Sequence, residues 1–229
     1  MVVFDDGSTF GTIGGGRYEK NVIAECRKAI KTKKPTTLAY QYFGRKGESV
    51  CGGEIKVFIE PVIAQDHLII CGGGHIALPL SAMGKILAFR VTVIDDRREF
   101  ANKKRFPHVD QIVCGPYAKA LTKIAVKSNS YVTIVTRGHE CDFDSLKTVV
   151  KSSAAYVGVI SSSLKKIKFF RDLRKLGVEE KFLRRIHIPM GIDIGAQTPE
   201  EIAVSIMAQV LAVRNKDQMG TDKFKENKS

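Results

Sequence analysis

No stretch of this sequence approaches the roughly 18 consecutive apolar residues that a membrane-spanning helix requires, and the amino terminus lacks a basic-then-apolar leader. Neither a membrane span nor a signal peptide is expected, and the cytoplasm is the default compartment. Paired cysteines are missing too. Cys26, Cys51, Cys71, Cys114 and Cys141 are scattered with no C-x-x-C among them, which argues against a zinc ribbon and against a disulfide framework. Cys71 and Cys114 end apolar runs and are expected to be buried thiols. No H-E-x-x-H pair and no nucleophile elbow occur, so neither a zincin nor a serine hydrolase is indicated. Acidic residues are few, 24 against 37 lysines and arginines, for a formal charge of +13. Such an excess favours anionic partners, phosphorylated cofactors or acidic proteins among them. No zinc finger, aromatic-glycine sheet motif or basic region with heptads points to nucleic acid.

What the chain does carry is centred on residues 67–96. A short apolar strand, Leu68-Ile69-Ile70-Cys71, runs into Gly72-Gly73-Gly74-His75-Ile76-Ala77, then a helix, then the strand Val91-Thr92-Val93-Ile94 ending in Asp95-Asp96. From Gly72 the turn fits G-x-G-x-x-A. In that pattern the first glycine permits the tight turn, the second lets backbone approach a pyrophosphate, and the helix amino terminus supplies N–H donors and a positive dipole end. Asp95, 21 residues past Gly74, is placed to bind ribose hydroxyls. Strand, turn, helix, strand and acid in this order predict a βαβ nucleotide-type unit.

Upstream, two short strand-like runs flank a turn at Asp5-Asp6-Gly7-Ser8. Gly14-Gly15-Gly16 precede a helix over about 17–31 with Val22, Ile23, Cys26 and Ile30 on one face. These glycines suit an anion cradle or a tight turn equally well. Strands are expected over Thr36–Phe43 and Glu54–Glu60, separated by the glycine-flanked loop Val50-Cys51-Gly52-Gly53, and residues 1–64 form a small α+β domain. Downstream come a strand Gln111–Cys114, a helix Tyr117–Lys127, a β-branched strand Tyr131–Thr136, a helix Phe143–Lys151, a strand Ala155–Ile160 and a helix Leu164–Leu176. That last helix would bury Leu164, Ile167, Phe170, Leu173 and Leu176, with Gly177 as its cap. The final helix opens with Thr198-Pro199-Glu200-Glu201, a capping box with proline at the first position. Residues 65–213 therefore read as a Rossmann-like, doubly wound parallel sheet, and 214–229 as a polar, disordered tail.

Ligands in such sheets bind beyond the carboxyl ends of the strands, which singles out Arg137-Gly138-His139-Glu140-Cys141-Asp142. His139 titrates near neutrality and could act in acid-base chemistry or simply hydrogen-bond its loop. Arg137 could hold a phosphate bidentately or pair with Asp142 or Glu140. His75 sits inside the glycine turn. Asp193, between Gly191 and Gly195, could serve a ligand or a tight turn. Two different functions stay open on these residues: an NAD(P)-dependent oxidoreductase with Asp95 on the ribose and His139 as acid/base, and a module that binds or interacts without turnover.

Taken in order, Thr12-Ile13-Gly14-Gly15-Gly16, Val50-Cys51-Gly52-Gly53-Glu54, Phe58-Ile59-Glu60-Pro61, the glycine turn with His75, Asp95-Asp96-Arg97, Phe100-Ala101-Asn102, Arg105-Phe106-Pro107, Thr136-Arg137-Gly138-His139 and Gly191-Ile192-Asp193-Ile194-Gly195-Ala196 running into Thr198-Pro199-Glu200-Glu201-Ile202-Ala203 resemble the xanthine dehydrogenase accessory proteins, the XdhC/CoxI family. The resemblance extends to about residue 213. It implies a small amino-terminal domain followed by a Rossmann domain. It also implies a chaperone-like role in which the molybdenum cofactor is bound, protected while a cysteine desulfurase supplies its terminal sulfur, and delivered to an apo xanthine dehydrogenase or a related molybdenum hydroxylase. Dimers are common in the family. On this resemblance the cofactor would meet Gly14, Gly15, Gly16, Cys51, Gly52, Gly53, Gly72, Gly73, Gly74, His75, Asp95, Arg137, Gly138, His139 and Asp193. Cys51 is then a soft thiolate near the metal, and His139 and Cys51 are the two candidates for chemistry. Family members usually carry a further strand and a Ser-Ala-Pro-Arg-like segment ahead of the region aligned with Met1 to Phe4, so the small domain is expected to be a strand short. Ser161-Ser162-Ser163 stands where the family tends to have Gly-Ser-Arg, with Lys165 and Lys166 close by in sequence.

Overall fold

The computed structural model describes residues 1–42, 53–62 and 64–216. The chain divides into two compact units, Met1–Ala64 and Gln65–Ser229.

In the first unit, β1 (Val2–Val3) and β2 (Thr9–Phe10) pair antiparallel around the turn at Asp5–Ser8. Gly7 takes φ +90°, and the Asp6 carboxylate accepts from the Ser8 amide at 2.8 Å, an Asx-type turn. Helix α1 (Gly16–Thr32) lays Val22 and Ala29 against Ile59, with Cys26, Leu38, Tyr40 and Val57 at the margin. Strands β3 (Thr36–Tyr42) and β4 (Gly53–Ile59) form an antiparallel pair from Thr36–Ile59 to Tyr42–Gly53. The expected strand end at Phe43, the turn after it, and Cys51 and Gly52 lie outside the described residues.

The second unit runs β5 (His67–Cys71), α2 (Ala77–Ile86), β6 (Arg90–Asp95), β7 (Gln111–Cys114), α3 (Tyr117–Lys123), β8 (Ser130–Ile134), α4 (His139–Val149), β9 (Tyr156–Val159), α5 (Ser163–Lys175), α6 (Glu180–Leu183), β10 (Ile186–His187) and α7 (Pro199–Arg214). Its strands are all parallel in the order β10-β9-β8-β5-β6-β7. The chain winds outward from β5 through β6 and β7, returns to β8, and winds the other way. The order therefore reverses between β5 and β8, where the two diverging loops leave a crevice. Successive side chains of β5 face opposite layers, as strand geometry requires: Ile69 and Cys71 pack with Leu121, Leu146, Phe169 and Leu173, whereas Leu68 and Ile70 pack with Leu80, Phe89, Ile206 and Val210. This is the α/β, Rossmann-like doubly wound sheet expected from the sequence, preceded by a small α+β unit.

Several elements depart from the sequence reading. Helix α4 begins at His139 rather than Phe143, because its first turn is polar and carries Glu140 and Asp142, which favour a helix amino terminus without contributing to an apolar pattern. Helix α3 stops at Lys123, where Ile124 turns extended while still packing on the core. In α5 the buried residues are Phe169 and Leu173, and Leu164 and Ile167 are 80% and 68% exposed. The helix is rolled so that Phe169 meets His139 and Phe143. Cys71 is buried, but Cys114 ends edge strand β7 and is exposed. The capping box of α7 forms: the Thr198 hydroxyl accepts from the Glu201 amide at 3.2 Å and Glu201 accepts from the Thr198 amide at 3.1 Å. The expected tail lies outside the described residues from 217 onward. Among the described residues no helix is long and apolar enough to cross a membrane.

Candidate functional site

The glycine turn leaves β5 at the crevice. Gly72 takes φ +114°, and a Cβ there would lie 2.3 Å from the Val135 carbonyl oxygen, so the loop after β5 can pass the end of β8 only as glycine. A Cβ on Gly73 would lie 2.5 Å from the Phe100 carbonyl oxygen. Both polar groups of Gly73 are engaged: its N–H donates to Asp95 Oδ2 at 2.7 Å and its carbonyl accepts from Arg105 Nε at 2.9 Å. Gly74 faces open space. His75 is exposed, and α2 then starts from Ile76 with no side-chain cap and no acid in its first turn. A helix terminus of this kind presents N–H donors and a positive dipole end to an anion.

Asp95 is fully buried. Besides Gly73 it accepts from Arg97 three times, at 3.0 Å from the amide, 2.9 Å from Nε and 3.0 Å from Nη2. Burial alone would raise this carboxyl, but the bonds from Arg97 and Gly73 outweigh it and hold the group below the usual carboxylate range. The Arg97 guanidinium in turn lies 3.6 Å over the Phe100 ring. Asp95 thus fixes the glycine turn, and a ribose hydroxyl would have to displace Arg97 to reach it. Its neighbour Asp96 accepts from Arg137 Nη2 at 3.0 Å through Oδ2.

On the far side of the crevice, Gly138 is extended and α4 begins at His139. The His139 ring stacks on Phe169 at 4.6 Å with 4° between planes. Burial, followed by the charges of Lys168 and Lys165, lowers its pKa, so the imidazole is neutral at neutral pH. Asp142, one turn on, accepts from the Thr136 hydroxyl at 2.6 Å; burial pushes its carboxyl up to about 6 against the opposing pull of those Thr136 bonds.

Five buried side-chain atoms have no hydrogen-bond partner among the described residues: Asp96 Oδ1, Arg105 Nη2, Tyr117 Oη, His139 Nδ1 and Ser161 Oγ. Each belongs to a segment that follows one of β6, β7, β8 or β9, and each of those strands ends at the carboxyl edge of the sheet. Unsatisfied buried polar atoms are uncommon, and their clustering on one edge marks where a ligand would satisfy them.

The structure therefore brings Gly72, Gly73, Gly74, His75, Asp95, Arg137, Gly138 and His139 to one edge. Asp193 lies beyond β10 in an exposed loop, where its carboxylate accepts from the Gly195 amide at 3.2 Å; the loop is pinned by Gln209, which bonds both the N–H and the carbonyl of Gly191. Gly14, Gly15 and Gly16 belong to the first unit, with φ of +115°, +75° and +75°. There Glu19 accepts from the amides of Ile13 at 3.0 Å and Gly15 at 3.1 Å and from the Thr12 hydroxyl, so an external anion would compete with an internal one. Gly53 opens β4. Arg97, Arg105 and Ser161 entered the sequence reading only inside quoted motifs, and Tyr117 only as the start of a helix; none was named as a site residue. The acid-acid-basic order of Asp95-Asp96-Arg97 at a strand end was the one signal available for Arg97. Among the described residues no His, Cys, Asp and Glu side chains group as a metal site.

Residues 68–210 match the XdhC Rossmann domain, and residues 1–41 match the XdhC and CoxI family. The chain belongs to the XdhC family. It is 34% identical over 220 residues to the uncharacterised Escherichia coli (strain K12) protein YqeB, covering 94% of this chain and 40% of that one. It is 24% identical over 161 residues to a Bacillus subtilis (strain 168) protein named as a probable xanthine dehydrogenase subunit, covering 70% and 47%. The chain thus spans less than half the length of these two relatives. A solved structure from Bacillus halodurans, described as a xanthine dehydrogenase, has the same fold with a TM-score of 0.61 at 18% identity, over 97% of this chain and 88% of that one. XdhC membership and the Rossmann sheet thus agree with the motif order along the sequence.

Proposed function

We propose that this XdhC-family chain is an accessory factor for a xanthine dehydrogenase-type molybdenum hydroxylase, and that its Rossmann unit holds the molybdenum cofactor while that enzyme matures. The observation that carries the reading is the row of unpartnered buried atoms along the carboxyl edge, beside a helix terminus that no side chain caps. A phosphorylated pterin fits this donor set. Its phosphate suits the amides at Gly74, His75 and Ile76 and the start of α2, with the Arg137 guanidinium, 53% exposed, within the same crevice. The ring system, rich in N–H and carbonyl groups, suits the mixed donors and acceptors at Asp96, Tyr117 and His139. The cofactor supplies the molybdenum centre; the chain's residues bind, orient and shield it. Cys51, which lies outside the described residues, is the proposed thiol for chemistry in the first unit. A cysteine desulfurase and the apo-hydroxylase are the proposed partners, the cytoplasm the proposed compartment, and a homodimer the proposed assembly.

An NAD(P)-dependent oxidoreductase is the weaker reading, because the carboxylate expected on the ribose, Asp95, has both oxygens committed to Gly73 and Arg97. Co-expression with an apo-hydroxylase, in a host lacking its own family member, tests the proposal. Active hydroxylase is expected with the wild-type chain and a marked loss with Cys51→Ser. Full activity in the absence of the chain would refute it.

A further inference from the structure

Helix α5 is held from one side and bare on the other. Its start is capped, the Ser162 hydroxyl accepting from the Lys165 amide at 3.5 Å, and its inner side is anchored by Phe169 and Leu173, both fully buried. At about 3.6 residues per turn, Leu164, Ile167, Lys168, Arg171 and Lys175 form one stripe on the opposite side. All five are exposed, and Leu164 and Ile167, one turn apart, are large aliphatics standing in solvent. The charge of the helix is one-sided: six of its 13 residues are lysine or arginine, and Asp172 is its single acid. Asp172 pairs with Arg171 at 3.4 Å, and Glu180 spends both oxygens on Arg174 at 3.1 Å. Lys165, Lys168 and Lys175 therefore have no carboxylate partner among the described residues. The stripe also lies close to the candidate site. Helix α5 follows β9, so its amino end, where Leu164 and Ile167 stand, is at the carboxyl edge of the sheet, and its buried Phe169 stacks on His139 at 4.6 Å.

We propose that this outer stripe of α5 is the docking surface for an acidic protein, with Leu164 and Ile167 seated in an apolar recess of the partner and Lys168, Arg171 and Lys175 facing its carboxylates. Charge complementarity sets the partner's sign: unpaired cations on a chain of net charge +13 attract an acidic surface and repel a second copy of the same chain. The two aliphatics set its class. A phosphate backbone has nothing to place against a Leu–Ile pair, and the aromatic rings of α5, Phe169 and Phe170, pack on the core instead of standing free for bases. A bilayer calls for a continuous apolar face with cations on the opposite side, whereas here the cations run along the middle of the stripe. The inference rests on the accessory reading above: the partner is then the apo-hydroxylase, seated on the helix that backs His139.

The test is the binding of the full chain to immobilised apo-hydroxylase, followed by surface plasmon resonance at low and at high salt. Leu164→Ala with Ile167→Ala is expected to speed dissociation about tenfold, because apolar anchors set the lifetime of a complex. Lys168→Glu with Arg171→Glu is expected to slow association about tenfold at low salt, an effect that fades at high salt as the charges are screened. Lys119→Glu with Lys123→Glu makes the same charge change on the exposed side of α3 and should leave both rates within about twofold. All of these residues are exposed, so the thermal midpoint holds in each variant. Unchanged rates in both α5 variants, with the hydroxylase still bound, would overturn the docking surface and leave the accessory reading standing. Equal slowing by the α3 and α5 charge reversals would overturn it too, since net charge alone would then account for the effect. Binding to phosphatidylglycerol vesicles that the α5 variants lose, with hydroxylase binding intact, would give the stripe to a membrane instead. If the wild type does not bind the apo-hydroxylase, the surface falls, and the cofactor content of the purified protein decides the accessory reading on its own.

Discussion

Replacing Gly72 with alanine probes the point on which the crevice is built. Two costs can be worked from the geometry. The residue sits at φ +114°, where an L side chain is strained by about 1–3 kcal/mol. Its Cβ would also press to 2.3 Å from Val135 O and 2.7 Å from Val135 C. Those are backbone atoms of the segment leaving β8, so no flexible side chain can give way, and relief requires the two central strands to part, at about 1–3 kcal/mol by analogy with overpacked cores. The sum, about 2–6 kcal/mol, is a large share of the roughly 5–15 kcal/mol that holds a domain together. In thermal terms it is a fall of about 10 °C for a domain of this size. Gly74→Ala is the internal control, because nothing lies within 4 Å of its Cβ position; its stability should stay within about 0.5 kcal/mol. Urea denaturation followed by circular dichroism reads both. Equal stability of wild type and Gly72→Ala would mean that the loops after β5 and β8 are not in the contact described, and the crevice would lose its structural basis.

Other outcomes follow from the same geometry. Arg97→Ala leaves the buried Asp95 carboxylate without its guanidinium, and should cost about 2–4 kcal/mol, below the full value for a buried pair because Arg97 is itself partly exposed; no loss in urea titrations would contradict the keystone role of that pair. Asp142 has its folded pKa raised above its unfolded value, from 3.8 to about 6, so the folded state binds the proton more tightly. Its contribution is most favourable below pH 4 and is lost as pH rises through 6. Asp142→Asn should accordingly gain up to about 3 kcal/mol over wild type at pH 8 and far less at pH 4; a pH-independent difference would show that burial does not strain this carboxyl. His139→Phe keeps the stack on Phe169 and deletes the unpartnered Nδ1, so the melting temperature should hold or rise while cofactor retention falls. Retention equal to wild type would remove His139 from the site.

How far the sequence disclosed this arrangement depended on which force set each feature. The path from Leu68 through the glycine turn to Asp95 was legible because a buried parallel strand, a tight turn and an uncapped helix start each leave a local signature. Thr198 to Glu201 was legible for the same reason, since the capping box is closed within four residues. The roll of α5 was not. Leu164, Ile167, Phe170 and Leu173 form a helical stripe as good as the real one, and the choice of Phe169 was made by His139 and Phe143 on another helix. The start of α4 was hidden because its first turn is polar: what it buries is His139 against Phe169 and the Asp142 carboxyl, which add nothing to an apolar pattern. Asp95 was found at the right place, but its partner Arg97, two residues on, turned a ligand-binding acid into a brace for Gly73. Glu19 did the same to the glycines at 14–16. Tyr117 carries no motif, and Ser161 stood out only within the serine run set against the family's Gly-Ser-Arg; what marks both is a buried atom with no partner among the described residues, which only three-dimensional packing reveals.

The central claim is that this XdhC-family chain holds a molybdenum-bearing pterin at the carboxyl edge of its sheet. The most direct measurement is the molybdenum and pterin content of the protein purified without oxygen from a host that makes the cofactor. Pterin and molybdenum close to one per chain, reduced in Cys51→Ser and in Tyr117→Phe, is the result the account predicts. Protein that retains no pterin under conditions that preserve the free cofactor, or that retains a nicotinamide dinucleotide in its place, would contradict it.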